Sequence, residues 1–163
     1  MTIRNPTAAD KANLMELSEA TGLFPPDDLA GMEQMMDAFF AGEAEEGHFW
    51  LADDDGPGNG GIRCAAYCGP ETFAAPGIWN LFFIGAYPDD QGKGRGSRML
   101  AHIEDRLRAA DGHLLLIETS SGDGFDLTRA FYRKHGYDEE ARIRGFYGDE
   151  DKVIFRKDLK AAA

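Results

Sequence analysis

Eight residues, Gln91, Gly92, Lys93, Gly94, Arg95, Gly96, Ser97 and Arg98, lie between an apolar run and an amphipathic run, and they restrict the fold more than any other stretch. The apolar run, residues 78–84, reads as a buried strand. Downstream, Met99, Leu100, Ile103 and Leu107 fall on one helical face. Glycines let the backbone turn sharply and come close to a ligand. Amides at a helix start, together with the helix dipole, favour phosphate. The first expectation is therefore a strand-to-helix turn that receives a pyrophosphate.

Two well-known glycine loops do not fit. A P-loop requires Lys-Ser or Lys-Thr after its last glycine, and neither pair occurs here. A G-x-G-x-x-G dinucleotide loop would need glycine at Ser97 or at Met99. What the segment matches is Q-x-x-G-x-G opening into a helix. Further on, Phe131, Tyr132, Arg133, Lys134, His135, Gly136 and Tyr137 form F-Y-x-x-x-G-[FY], with one strand (114–118) between the two motifs. On these two segments, in this order and spacing, the chain resembles the GNAT acetyltransferase superfamily. The resemblance runs from about residue 3 to 159, in pattern rather than residues over the first half.

Composition sets the outer limits. At 163 residues the chain suits one domain, expected over residues 1–163. No secretory h-region follows the N-terminus and no apolar run reaches the ~18–20 residues of a membrane span, so no membrane partner and a cytoplasmic location are expected. The net charge of −12 argues against nucleic acid and suits a cationic amine. Lys93, Arg95 and Arg98 then stand out as a positive cluster in an acidic chain. Cys64 and Cys68 would lie about 13 Å apart on a strand, too far for a disulfide, and read as packing residues. The histidines are scattered and no metal is expected.

Periodicity and turn signals predict a first strand at 2–5, a helix capped by Thr7 and running to about 20, and a second helix restarted by Pro25 and Pro26. In that second helix Met32, Met35, Met36 and Phe39 read mainly as core filling. Strands follow at 49–52 and 62–68, joined by an aspartate- and glycine-rich loop, 53–61, read as a solvated hairpin tip. Next come a strand at 77–86, a helix at 94–110 ended by Gly112, a buried strand at 114–118, a helix at 127–135 closed by Gly136, and strands at 139–146 and 152–159. Propensity gives α/β or α+β. The resemblance implies the GNAT fold: a mixed sheet of about seven strands flanked by about four helices, splayed between the fourth and fifth strands.

The resemblance also implies roles. Ile84, Gly85 and Ala86 would offer a strand edge to pantetheine. Gln91, Gly92, Lys93, Gly94, Arg95, Gly96 and Ser97 would hold the pyrophosphate of acetyl-CoA, mainly through backbone N–H groups. Tyr132 would protonate the departing thiolate, since a phenol of pKa about 10 keeps its proton at neutral pH. Relatives often carry a base glutamate where this chain has Asn80. Glu118, read as ending an apolar strand where burial would raise its pKa, is the candidate general base, with a structural ion pair as the alternative and a water chain as another route. A contact asparagine of relatives is replaced by Phe125, with Ser120, Ser121 or Asp123 as substitutes. Arg142, Arg144, Phe146 and Tyr147 fall in a stretch that relatives use near the acceptor.

The resulting expectation is an acetyl-CoA-dependent N-acetyltransferase acting by direct attack of a primary amine, with a small-molecule acceptor. Peptide acetylation and a non-catalytic acyl-CoA-binding module are the alternatives. A homodimer is the assembly the resemblance brings into view.

Overall fold

The computed structural model describes residues 2–56 and 61–160. Among these residues, seven strands and four α-helices follow in the order β1 (Thr2–Arg4), α1 (Lys11–Ala20), α2 (Pro26–Ala41), β2 (Phe49–Asp54), β3 (Ile62–Pro70), β4 (Ile78–Ala86), α3 (Arg95–Ala109), β5 (Leu114–Ser120), α4 (Asp126–Lys134), β6 (Asp138–Tyr147) and β7 (Glu150–Asp158). They form one mixed sheet in the order β1-β2-β3-β4-β5-β7-β6. β4 and β5 run parallel, with register partners from Ile78↔Leu114 to Leu81↔Ile117. No helix among the described residues is long and apolar enough to cross a membrane.

The chain divides into two compact units. Met1–Gly69 with Phe83–Ile103 forms the first, and Pro70–Phe82 with Glu104–Ala163 the second. In the first, Leu14 and Leu17 of α1 and Met32 and Met36 of α2 pack with Trp50, Ala52, Ala65, Tyr67 and Phe83. Each such large side chain contributes about 1.5–3 kcal/mol when fully buried. Trp50 stacks on Tyr67 at 4.7 Å. Met32 and Met36 are thus core residues, as their spacing predicts. Pro26 opens α2 with Asp27 and Asp28 in its first turn, where acidic side chains favour a helix start.

The second unit is centred on Leu115, Ile117, Tyr132, Tyr137, Val153 and Phe155, all buried. Among its buried charges is Glu104, which accepts hydrogen bonds from Tyr137 Oη at 3.0 Å and from Lys157 Nζ at 2.8 Å. Such pairing is what a buried carboxylate requires.

Three sequence expectations change. Asp53 and Asp54 belong to β2 rather than to a solvated tip, and Asp53 is fully buried. Residues 57–60 of that expected loop lie outside the described residues. β5 continues to Ser120 because β7 pairs with it as far as Ser120↔Lys152, so Glu118 is inside the strand. Beyond α3 the left-handed position is taken by Asp111 (φ 58°), one residue before the expected Gly112.

Candidate active site

The expected cofactor residues all lie in the first unit. Ile84, Gly85 and Ala86 end β4. Gly85 has no room for a side chain, because a Cβ there would stand 2.7 Å from Thr21 Cγ2 and 2.8 Å from Phe83 Cζ. A short 3-10 turn, Pro88–Asp90, follows, and residues 91–94 then turn into α3. Gly92 (φ 74°) and Gly94 (φ 83°) occupy the left-handed region, yet a Cβ on either meets nothing within 4 Å. What demands glycine here is backbone conformation, not space. The Arg98 N–H donates to Gly94 C=O at 3.0 Å, which starts the helical ladder. The Arg95 and Gly96 amides precede that bond, as first-turn amides of any helix do.

The cations of this segment are committed to carboxylates. Arg95 is only 5% exposed. Its Nη1 donates to Asp53 Oδ2 at 3.0 Å and its Nη2 to both Asp55 oxygens at 2.8 and 2.7 Å. Burial works against the Arg95 charge, and the bonds to Asp55 and Asp53 more than offset it, leaving its pKa raised. Arg98 Nη2 donates to Asp53 Oδ1 at 3.1 Å. Lys93, 61% exposed, reaches Asp90 Oδ1 at 3.3 Å. Arg63 Nε donates to Asp90 Oδ2 at 2.7 Å and lies over the Tyr87 ring. The positive cluster seen in the sequence is therefore largely neutralised, and backbone N–H groups and the dipole of a 15-residue helix are what the loop chiefly offers an anion.

Cys64 lies under the same network. Burial, then the Asp53 charge, pushes its thiol up to about 12, the opposite of a thiolate nucleophile.

Tyr132 and Glu118 both lie in the second unit. α4 opens after a turn held by Arg129, whose Nη1 donates to the carbonyls of Ser120 at 2.6 Å and Gly122 at 2.9 Å. Tyr132, 4% exposed, packs against Phe131, Tyr137 and Phe155 with ring centroids 5.4–5.8 Å away. Gly136 (φ 78°) closes the helix, with Tyr137 N–H donating to Tyr132 C=O at 3.1 Å. The tyrosine is thus fixed from both ends of a short helix.

Glu118 is not buried. Its side chain is 41% exposed and paired with Lys152 Nζ at 2.6 Å, and Lys152 lies 3.9 Å from the centre of the Phe146 ring. The expected burial is absent, and the ion-pair alternative describes what is seen. The register adds a second point. Glu118 stands opposite Ile154, whereas Tyr132 packs on the next residue, Phe155, and successive strand residues face opposite sides. Glu118 and Tyr132 do not converge on one face.

Asn80 is buried, donates through Nδ2 to Glu71 Oε2 at 3.1 Å, and keeps an Oδ1 without a hydrogen-bond partner among the described residues. Ser120 and Ser121 are tied to the start of β7, Ser120 Oγ by Glu150 and Ser121 Oγ by the Asp151 N–H at 2.8 Å. Asp123 is exposed. Asp53, Glu71 and Arg129 escape a sequence reading. The one available hint is for Asp53, a charge that directly continues the apolar run Phe49, Trp50, Leu51, Ala52.

The family described as "Acetyltransferase (GNAT) domain" matches residues 45–139, more than half of the chain. No curated protein matches the sequence. Among solved structures, a Desulfovibrio desulfuricans protein assigned to the GNAT acetyltransferase family is 27% identical, with a TM-score of 0.87 over 97% of this chain and 98% of that one. The ribosomal-protein-S18-alanine N-acetyltransferase of Escherichia coli is 21% identical, with a TM-score of 0.75 over 99% and 96%. An aminoglycoside 6′-N-acetyltransferase complexed with coenzyme A is 15% identical, with a TM-score of 0.76 over 100% and 99%. These last two likenesses are of fold.

Proposed function

The chain belongs to the GNAT acetyltransferase family, and from that membership we propose that it moves the acetyl group of acetyl-CoA to the primary amine of a small molecule by direct attack. The observation that carries the cofactor reading is the turn at 91–94. Two left-handed glycines bring the chain into the first turn of a 15-residue helix while the neighbouring arginine side chains are drawn away to carboxylates. Such a turn receives phosphate through main-chain amides. Ile84, Gly85 and Ala86 supply the strand edge for pantetheine, and coenzyme A in the aminoglycoside enzyme agrees with that choice of ligand.

In this proposal Tyr132 supplies the proton for the thiolate leaving group. A buried phenol held among three aromatic rings keeps its direction without a search among rotamers, and proton donation of this kind is worth about 10²–10⁴-fold. The amine attacks as the free base, and its proton leaves through water to solvent. Glu118, on the face opposite Tyr132 and paired with Lys152, is a poorer fit for that step. The charge of −12 supports an amine that is cationic in solution.

Calorimetric titration with acetyl-CoA, beside a Gly94→Glu variant, tests the reading. Micromolar binding that weakens at least 100-fold in the variant is expected, because the substitution places a carboxylate and a strained left-handed residue on the loop. No binding to the unaltered chain would sink the assignment. A screen of amino acids and polyamines against peptides then tests the acceptor, and turnover of peptides alone would replace the small-molecule reading.

A further inference from the structure

We propose that Asp53 is a positioning residue for the phosphate loop, acting through Arg95 and Arg98 to hold the loop's main-chain amides in their receiving geometry before any ligand arrives. The inference rests on the loop being the pyrophosphate seat, as argued above.

Asp53 is fully buried on β2 and both its oxygens are used, one by Arg95 at 3.0 Å and one by Arg98 at 3.1 Å. These two arginines are three residues apart, so a single carboxylate grips the first turn of α3 at two points. Arg95 carries the grip further, reaching Asp55 at 2.7 Å and, through Nε, lying 3.7 Å from Asp90 Oδ1. Asp90 is itself tied to Arg63 of β3 and to Lys93. Residues 91–94 are therefore suspended between two anchors, Asp90 on one side and Arg95 on the other. Between the anchors stand two glycines, which on their own would leave the backbone free to wander.

Coulomb's law makes this arrangement informative. Three carboxylates beside a loop proposed to bind an anion cancel most of the charge of the four cations there, Arg63, Lys93, Arg95 and Arg98, and so weaken its pull on that anion. A site selected by charge alone would leave them out. What they contribute is geometry: they turn Arg95 from a ligand into a strut, and they leave backbone donors at the surface. Preorganised donors cost no reorganisation when the ligand arrives.

The two accounts predict opposite signs, which makes the test sharp. Asp53→Asn removes a negative charge next to the phosphate seat. If Asp53 acted only as a charge, acetyl-CoA would bind more tightly. If it positions the loop, binding weakens. We expect the dissociation constant for acetyl-CoA, by calorimetry on the full chain, to rise tenfold or more in Asp53→Asn, with KM rising in step and kcat at saturation moving less. Unchanged or tighter binding in a variant whose circular dichroism and melting show a folded chain overturns the proposal. Should Asp53→Asn not fold, Asp55→Asn carries the test, since it removes only the partly exposed partner of Arg95. Threefold or greater weakening supports the strut, and unchanged or tighter binding overturns it. Gly94→Glu separates this inference from its premise. If that variant binds as the unaltered chain does, the loop is not the seat and both readings fall. If it does not bind while Asp53→Asn binds normally, the positioning role alone falls.

Discussion

The two units solve the same problem, holding a few atoms still, by different means. In the first, the loop at 91–94 is held by buried and half-buried ion pairs among Asp53, Asp55, Asp90, Arg63, Arg95 and Arg98. In the second, Tyr132 is held by three aromatic rings and by Arg129, whose guanidinium clasps two backbone carbonyls ahead of α4. In the function proposed above, the loop binds a charged group and releases it. Strong, directional pairs fix its ends while its middle stays glycine-rich. In the same proposal the tyrosine keeps one orientation, and packing against three rings favours that.

If this division is real, Tyr132→Phe breaks only the second unit's contribution. We expect kcat to fall tenfold or more, equivalent to about 1.4 kcal/mol of barrier, with the calorimetric affinity for acetyl-CoA unchanged. A parallel loss of affinity would show that the tyrosine also serves binding, and the division would fail.

Acid should separate the units next. The Arg4 hydrogen bond holds the Asp10 carboxyl down from 3.8 to about 2, although burial pulls the other way. Asp54 is also lowered, first by Arg4, and Asp55, first by Arg95. A carboxylate with a depressed folded pKa stabilises the fold above its unfolded value, and that contribution disappears as pH falls through the folded one. With Asp90, also lowered, the first unit holds four such carboxylates against Glu139 alone in the second, among the described residues, so between pH 3.8 and about 2 the environment of Trp50 should loosen before that of Trp79 in the second unit. Fluorescence of Trp79→Phe, which reports Trp50 alone, compared with the unaltered chain checks this. Simultaneous loss would mean that ion pairs in the first unit are not its weak point in acid.

The smallest effect is expected at Glu118. An exposed ion pair is worth about 0–1 kcal/mol, so Glu118→Gln should change kcat by less than about twofold and leave its pH profile in place. A large fall in kcat with a shifted profile would restore Glu118 as the base.

What could be read from the sequence was what is encoded locally. The glycine turn, the amphipathic α3 and the apolar β4 each declare themselves within a dozen residues, whereas the mixed seven-stranded sheet was implied by the family resemblance that two short motifs carry. Asp53 was illegible because its meaning lies 42 residues away, at Arg95, and a run of three aspartates before glycine reads as a wet turn. Glu118 was misplaced because Thr119 and Ser120 look like the start of a loop until β7 pairs with them. The shift from Gly112 to Asp111 at the end of α3 reflects another ambiguity: aspartate also tolerates the left-handed conformation. Glu71 and Arg129 owe their importance to partners that composition does not announce.

The separation of Asp53 from Arg95 also bears on when the chain becomes competent. A turn shaped only by its own glycines could form as soon as its residues leave the ribosome. One whose struts come from β2 takes its shape only after strand and helix have met across a long stretch of chain, and closing such a stretch is entropically slow. On the proposed function, ligand capture would then be a late product of folding, and a nascent or partly unfolded chain would carry the motif without the affinity.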